Sequence, residues 1–136
     1  MNLPPHVCCL NNAQLFVWRP RGVLDEAKTN KVVLFLTDQE TKFGRAFNRF
    51  TDLSALDALD LSFKYVLQVA LYRRLARMGK EPIKSAFFVT SPAVARYVKL
   101  HAMLTDHSPL QVKIFQERAA AAEWLDVSIE LLHAQA

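Results

Sequence analysis

The sequence predicts one α/β domain built on a mixed five-stranded sheet, with elements in the order β-β-α-β-α-β-α-β-α. Three observations point there. Short apolar runs of strand length alternate with longer amphipathic stretches along the whole chain. Glycine, proline and asparagine punctuate the junctions between them. The opening pair of apolar segments is joined by a turn too short for a crossover, so an antiparallel strand precedes a parallel series.

Val7–Leu10 and Gln14–Arg19 are apolar-rich segments separated by Asn11-Asn12, a turn-prone pair that suits a β-hairpin. Both faces of Leu15–Trp18 are apolar, which puts this strand inside the sheet with a layer on either side. Pro20 and Gly22 break the run. From Leu24 to Lys42 the apolar residues Leu24, Ala27, Val32, Leu34, Phe35 and Leu36 lie between charges. This stretch reads as a helix, with Asp25 and Glu26 favourable near its start. Val32–Leu36 taken alone fits a short buried strand as well.

Ala46–Thr51 is the next strand, and it runs into a polar, acidic loop from Asp52 to Ser62. In the helix that follows, Phe63, Val66, Leu67, Ala70, Leu71 and Leu75 recur at helical spacing, while Lys64, Gln68, Arg73 and Arg74 take the other sectors. Gly79 and Pro82 end it. Ile83–Thr90 is a strand carrying Ala86-Phe87-Phe88-Val89. Ser91-Pro92 then supplies an N-cap and a first-turn proline for a helix to Leu104. Leu110–Phe115 is the last strand, and Gln116–Leu125, with consecutive alanines, is a helix of high propensity. The tail after Asp126 is expected to add a helical turn or two.

With 136 residues, 51% hydrophobic and 22% charged, the chain describes one ordered domain, residues 1–136, long enough to bury a core. No apolar run reaches membrane-spanning length, and Met1–His6 lacks the pattern of a signal peptide, so a cytoplasmic protein is expected. Cys8 and Cys9 are neighbours in a strand and point to opposite faces, so two reduced thiols are expected rather than a bridge. The net charge of +4 is mild and no basic face carries interleaved aromatics, which argues against nucleic acid. The densest basic group, Arg73, Arg74, Arg77, Lys80 and Lys84, complements a helix C-terminus. An anion or membrane contact at Arg73, Arg74 and Arg77 is the alternative. His6, His101, His107 and His133 share no metal-ligand spacing and there is no glycine-rich phosphate loop, so neither a metal nor a cofactor is expected. His101 reads as a partly buried, hydrogen-bonded side chain.

Three places, taken together, resemble a known family. They are Thr51-Asp52-Leu53-Ser54 followed by Asp60-Leu61-Ser62 at a helix start, Lys84–Val89 followed by a helix, and Val112–Phe115 followed by Ala120–Leu125. Their order resembles the STAS domain of sulfate transporters and anti-sigma-factor antagonists, and more narrowly its stand-alone SpoIIAA-like branch. The resemblance covers almost the whole chain. It implies a non-enzymatic regulatory module that acts through a protein partner and is switched by phosphorylation or a ligand. In that family the second serine of the turn before the helix is phosphorylated, a position that falls on Ser62. Leu61 stands where the family has its first serine, and Phe63 where it has glycine. A phosphate at a helix N-terminus gains from exposed N–H groups; an N-cap role for Ser62 or Asp60 is the alternative.

Sites in such folds sit at the carboxyl edge of the sheet. Asp52, Ser54, Asp57, Asp60 and Ser62 are therefore the expected partner- or ligand-binding loop, against a plain turn-and-capping role. Phe16, Trp18, Phe35, Phe43, Phe63 and Tyr65 form an apolar surplus that predicts a core with a homodimer patch. The alternative is a pocket between sheet and helices for a lipid-like small molecule, or a membrane-surface contact, with which the SpoIIAA-like resemblance is compatible.

Overall fold

A computed structural model describes residues 3–133, so the extreme ends of the expected 1–136 domain lie outside the described residues. The chain runs β1 (Val7–Leu10), β2 (Leu15–Trp18), β3 (Gly22–Asp25), α1 (Glu26–Phe43), β4 (Asn48–Asp52), β5 (Leu56–Asp60), α2 (Phe63–Arg77), β6 (Ile83–Phe88), α3 (Pro92–Thr105), β7 (Leu110–Phe115) and α4 (Arg118–Leu125). A 3-10 segment, Ile129–His133, supplies the expected turn in the tail.

Five strands form the main sheet in the order β1-β2-β4-β6-β7. The β1–β2 hairpin is antiparallel and every later pairing is parallel. Side chains alternate across the sheet and build a core on each face. On one face Phe16, Trp18 and Val7 pack with Val32 and Leu36 of α1 and with Val94 and Val98 of α3. On the other, Leu15, Val17, Phe50, Ala86 and Phe88 pack with Ala121, Ala122 and Leu125 of α4 and with Leu132. The result is three layers, with α1, α2 and α3 on one side and α4 on the other. Cys8 and Cys9 are unbridged and sit on opposite faces, as strand alternation requires. Burial, with the adjacent Cys8 as a smaller cause, pushes the Cys9 thiol up to about 11, so it stays protonated at neutral pH.

Caps close the helices where the sequence places them. Ser62 Oγ accepts from the Tyr65 amide at 3.0 Å, and Ser91 Oγ from the Val94 amide at 3.4 Å, with Pro92 in the first helical turn. Asp25 Oδ1 accepts from the Lys28 amide at 2.9 Å and caps α1. Gly44, at φ 68, ends α1 in the left-handed conformation that glycine adopts without strain. Val32–Leu36 lies wholly within α1, which resolves its double reading in favour of helix.

Two expectations need correction. Residues 22–25 and 56–60 are strands, not a helix start and a loop, and they pair in parallel as a separate two-stranded sheet. Asp60 is thus the last residue of β5 and caps no helix. Secondly, only Val66 and Ala70 of the expected apolar face of α2 turn inward. Phe63, Leu67, Leu71 and Leu75 are exposed, while Tyr65, Val66, Ala70 and Arg77 are buried.

Phe50 is fully buried in the α4-side core, whereas Leu34 is 61% exposed on α1. Phe50→Ala should lower unfolding free energy by about 3–5 kcal/mol. Leu34→Ala should change it by less than about 0.5 kcal/mol. Urea titrations of both variants check the assignment of inside and outside.

Candidate functional site

Between the sheet and its three-helix layer lies a cavity of about 1030 Å³, partly open to solvent. Volumes of this order hold drug-sized ligands. Its walls come from β2 and β4 below and from α1, α2 and α3 above. The parallel strands give it a direction. Toward their carboxyl edge the lining is apolar, with Trp18, Leu24, Leu53, Leu59 and Leu61. Toward their amino edge it is charged.

The charged end is assembled from two elements and a lid. Arg49 is the second residue of β4, on the face shared with Thr51, because Phe50 and Asp52 alternate to the other side. Arg73 and Arg77 occupy the last turns of α2, four residues apart and on one helical face. From α1, Glu40 reaches over them. Glu40 Oε1 accepts from Arg49 Nη2 at 3.0 Å and Oε2 from the Phe47 amide at 2.8 Å. Arg49 feels both of the other arginines. Burial first, then the Arg73 charge, lower Arg49 to about 9; Glu40 opposes the fall and Arg77 adds to it. Burial likewise lowers Arg73 to about 10, with Glu40 opposing. Both remain cations at neutral pH.

Around them several polar atoms are satisfied and several are not. Arg73 donates from Nη1 to His101 Nε2 at 3.1 Å and from Nη2 toward Ser85 Oγ at 3.5 Å. A guanidinium cannot accept, so His101 carries its proton on Nδ1. Burial, reinforced by the Arg73 charge, holds His101 well below its ordinary pKa and therefore neutral. Arg77 Nη2 donates to the Glu81 carbonyl. Arg49 Nε and Nη1, Arg77 Nε and His101 Nδ1 are buried without a hydrogen-bond partner among the described residues.

The residues expected to form a surface loop and a surface basic patch are distributed differently. Asp52 is 3% exposed and faces the α4 layer, away from the cavity. Its Oδ1 accepts from the Ser54 amide at 2.9 Å and hydroxyl at 2.6 Å, closing an Asx-type turn, and its Oδ2 accepts from Arg118 Nη2 at 2.9 Å. The Arg118 guanidinium also lies 4.4 Å over the Phe88 ring. Burial by itself would raise the Asp52 carboxyl, but the Ser54 and Arg118 hydrogen bonds outweigh it and hold the group below its ordinary value. Asp57, Asp60 and Ser62 are exposed on the opposite rim from the arginines. Of the basic group, Arg74 and Lys84 turn away from the cavity, Arg74 donating to the carbonyls of Leu104 at 3.3 Å and Asp106 at 2.5 Å, and Lys84 to the Trp124 carbonyl at 2.8 Å. Arg73 and Arg77 turn inward.

Sequence reading passed over Arg49 and Glu40. The available signal was a charge inside the apolar run Phe47–Phe50, since an arginine in a central strand is rarely buried without a task. Among the described residues no group of three or more His, Cys, Asp or Glu side chains is placed to hold a metal. No described helix is long and apolar enough to cross a membrane.

The architecture is SpoIIAA-like. An uncharacterized protein of the DUF3478 family from Shewanella loihica PV-4, with a SpoIIAA-like fold, matches at a TM-score of 0.56. The two share 15% sequence identity, over 82% of this chain and 83% of that one, a likeness of fold alone. No family model matches the sequence, and no curated protein matches it.

The closed Asp52–Ser54–Arg118 cluster has a measurable signature. Asp52→Ala should lose about 1.5–3 kcal/mol, the range for hydrogen bonds to a charged group. Because the folded carboxyl lies below its unfolded value of about 3.9, this stability is present above that pH and fades as pH falls through the folded value. Urea midpoints between pH 7 and pH 2.5 should therefore converge for the parent and the variant at the acid end.

Proposed function

We propose that this SpoIIAA-like chain is a non-enzymatic regulatory module of the cytoplasm that binds an amphipathic small molecule. The observation that carries this reading is the cavity of about 1030 Å³, apolar at one end and charged at the other. Two points of physical chemistry support it. A cavity of this size that stayed empty would forfeit packing across the whole three-helix face, and its charged end would leave buried donors unmatched. An amphiphile supplies both deficits at once, a chain for Trp18, Leu24 and Leu59 and a head for the polar end. Phosphorylation of Ser62 is a separate matter, because that side chain caps α2 on the opposite rim.

A second reading rests on its own observation. Phe63, Leu67, Leu71 and Leu75, at 54%, 47%, 53% and 58% exposure, form an apolar stripe along the outside of α2. It begins beside the exposed Asp57, Asp60 and Ser62. Such a stripe suits a protein partner or a second copy of the chain. Under this reading Leu71→Glu converts an associating protein to monomer in sedimentation velocity without lowering its melting temperature. A parent protein that is already monomeric speaks against the self-association form.

Ligand binding is testable by fluorescence, because the tryptophans lie on opposite faces. Trp18 lines the cavity, while Trp124 packs against Phe115 with ring centroids 5.6 Å apart. In Trp124→Phe protein, decanoate, decyl phosphate or decanol should shift the Trp18 emission saturably, and Val69→Phe, which fills the cavity from α2, should weaken the response at least ~10-fold. Emission that none of the three amphiphiles moves would sink the reading.

A further inference from the structure

The charged end of the cavity has more positive charge than its own surroundings can match. Arg49, Arg73 and Arg77 line it together with one half-buried carboxylate, Glu40. Three cations against one anion leave two positive charges uncompensated, taking His101 as neutral. Glu40 is fully engaged, one oxygen with Arg49 and the other with the Phe47 amide. Lys80 and Arg45 lie on the same lining and add two cations, of which Glu81 matches one.

The arginines are not surface groups that water can solvate freely. Arg49 is 6% exposed and Arg77 8%. Arg49 keeps Nε and Nη1 without a partner, and Arg77 keeps Nε, so at least three N–H groups on two nine-tenths-buried guanidinium groups have no acceptor among the described residues. Buried guanidinium N–H groups without acceptors are rare in native proteins and call for an acceptor of matching geometry. Arg73 is already held by His101 and Ser85, which fixes its planar fork. Fixed guanidinium forks recognise oxyanions, and two of them beside each other suit a phosphate better than a point cation would.

We infer that the Arg49–Arg73–Arg77 end of the cavity is a head-group site for an oxyanion, and that its two unmatched charges select a dianionic phosphate monoester over a carboxylate. This rests on the amphiphile reading and adds the chemistry of the head. The site lies at the amino edge of the parallel strands, the rim opposite the acidic one where the sequence placed function. Burial is the first cause of the lowered Arg49 and Arg73 values, and a bound phosphate would oppose it by favouring the charged guanidinium forms. Salt competes with the phosphate, so affinity falls as ionic strength rises.

Calorimetry with decyl phosphate, decanoate and decanol on the full chain separates the outcomes. Affinity should rank in that order at pH 8, with decyl phosphate at least ~10-fold tighter than decanol, a gap worth about 1.4 kcal/mol. Arg73→Gln and Arg77→Gln should each remove most of that gap while leaving decanol affinity unchanged. Arg74→Gln, outside the cavity, should leave all three affinities alone. Circular dichroism of each variant checks folding, and because the two cavity variants are independent, either one carries the test. Decanoate binding as tightly as decyl phosphate overturns the dianion assignment. All three ligands binding alike overturns the head-group site while the cavity reading stands. If none binds, both fall.

Discussion

Holding three arginines, Arg49 and Arg77 buried and Arg73 half-buried, against one glutamate is the constraint on which the helical side of this sheet depends. Arg49 can reach the cavity only because β4 alternates, sending Phe50 and Asp52 to α4 and Arg49 and Thr51 the other way. Arg73 and Arg77 reach it only because α2 is turned so that the arc of Tyr65, Val66, Ala70 and Arg77, not its leucines, faces the sheet. Each unmatched buried donor costs on the order of 1–3 kcal/mol. Burial lowers both Arg49 and Arg73, and for Arg49 the neighbouring charges of Arg73 and Arg77 lower it further. A helical layer packed tightly on the sheet would have expelled these side chains. Instead the layer leaves room around them, and α1 is tied in from above by the Glu40 contacts with Arg49 and the Phe47 amide.

Two ionic clusters on β4 show how differently the same chemistry can be used. Asp52, at the end of the strand, is surrounded by donors: the Ser54 amide and hydroxyl and Arg118 meet both of its oxygens. That cluster is closed and structural; it pins the end of β4 to the start of α4. Arg49, three residues earlier, has only one of its three nitrogens matched. The first cluster completes a turn. The second leaves buried donors open, and that difference is what the proposed head-group site rests on.

Much of this was legible in the sequence because local signals and tertiary packing agree. Ser91-Pro92 announced α3, and the hairpin, the last strand and the high-alanine helix all lie where short-range patterns put them. The SpoIIAA-like architecture followed from their order. The β3–β5 sheet did not show, since Leu56-Asp57-Ala58-Leu59-Asp60 is rich in residues that disfavour strands and is largely exposed. The site itself was hidden by an ambiguity in α2. Apolar residues occupy so much of its circumference that periodicity identifies a helix without saying which arc meets the sheet. Choosing the leucine arc sent Arg73 and Arg77 outward on paper. Only the fold shows that those two share a chamber with Arg49, a residue distant in sequence.

The same helix joins both rims of the molecule. Ser62 anchors its first turn beside the acidic edge, and its final turns carry two of the cavity arginines. Fifteen residues of α-helix make a rod about 22 Å long. A rod of that kind transmits tilt rather than absorbing it, so whatever shifts the far end by an ångström also moves the near end. The serine and the two guanidinium groups thus belong to one stiff element, the first at its cap and the others at its far end.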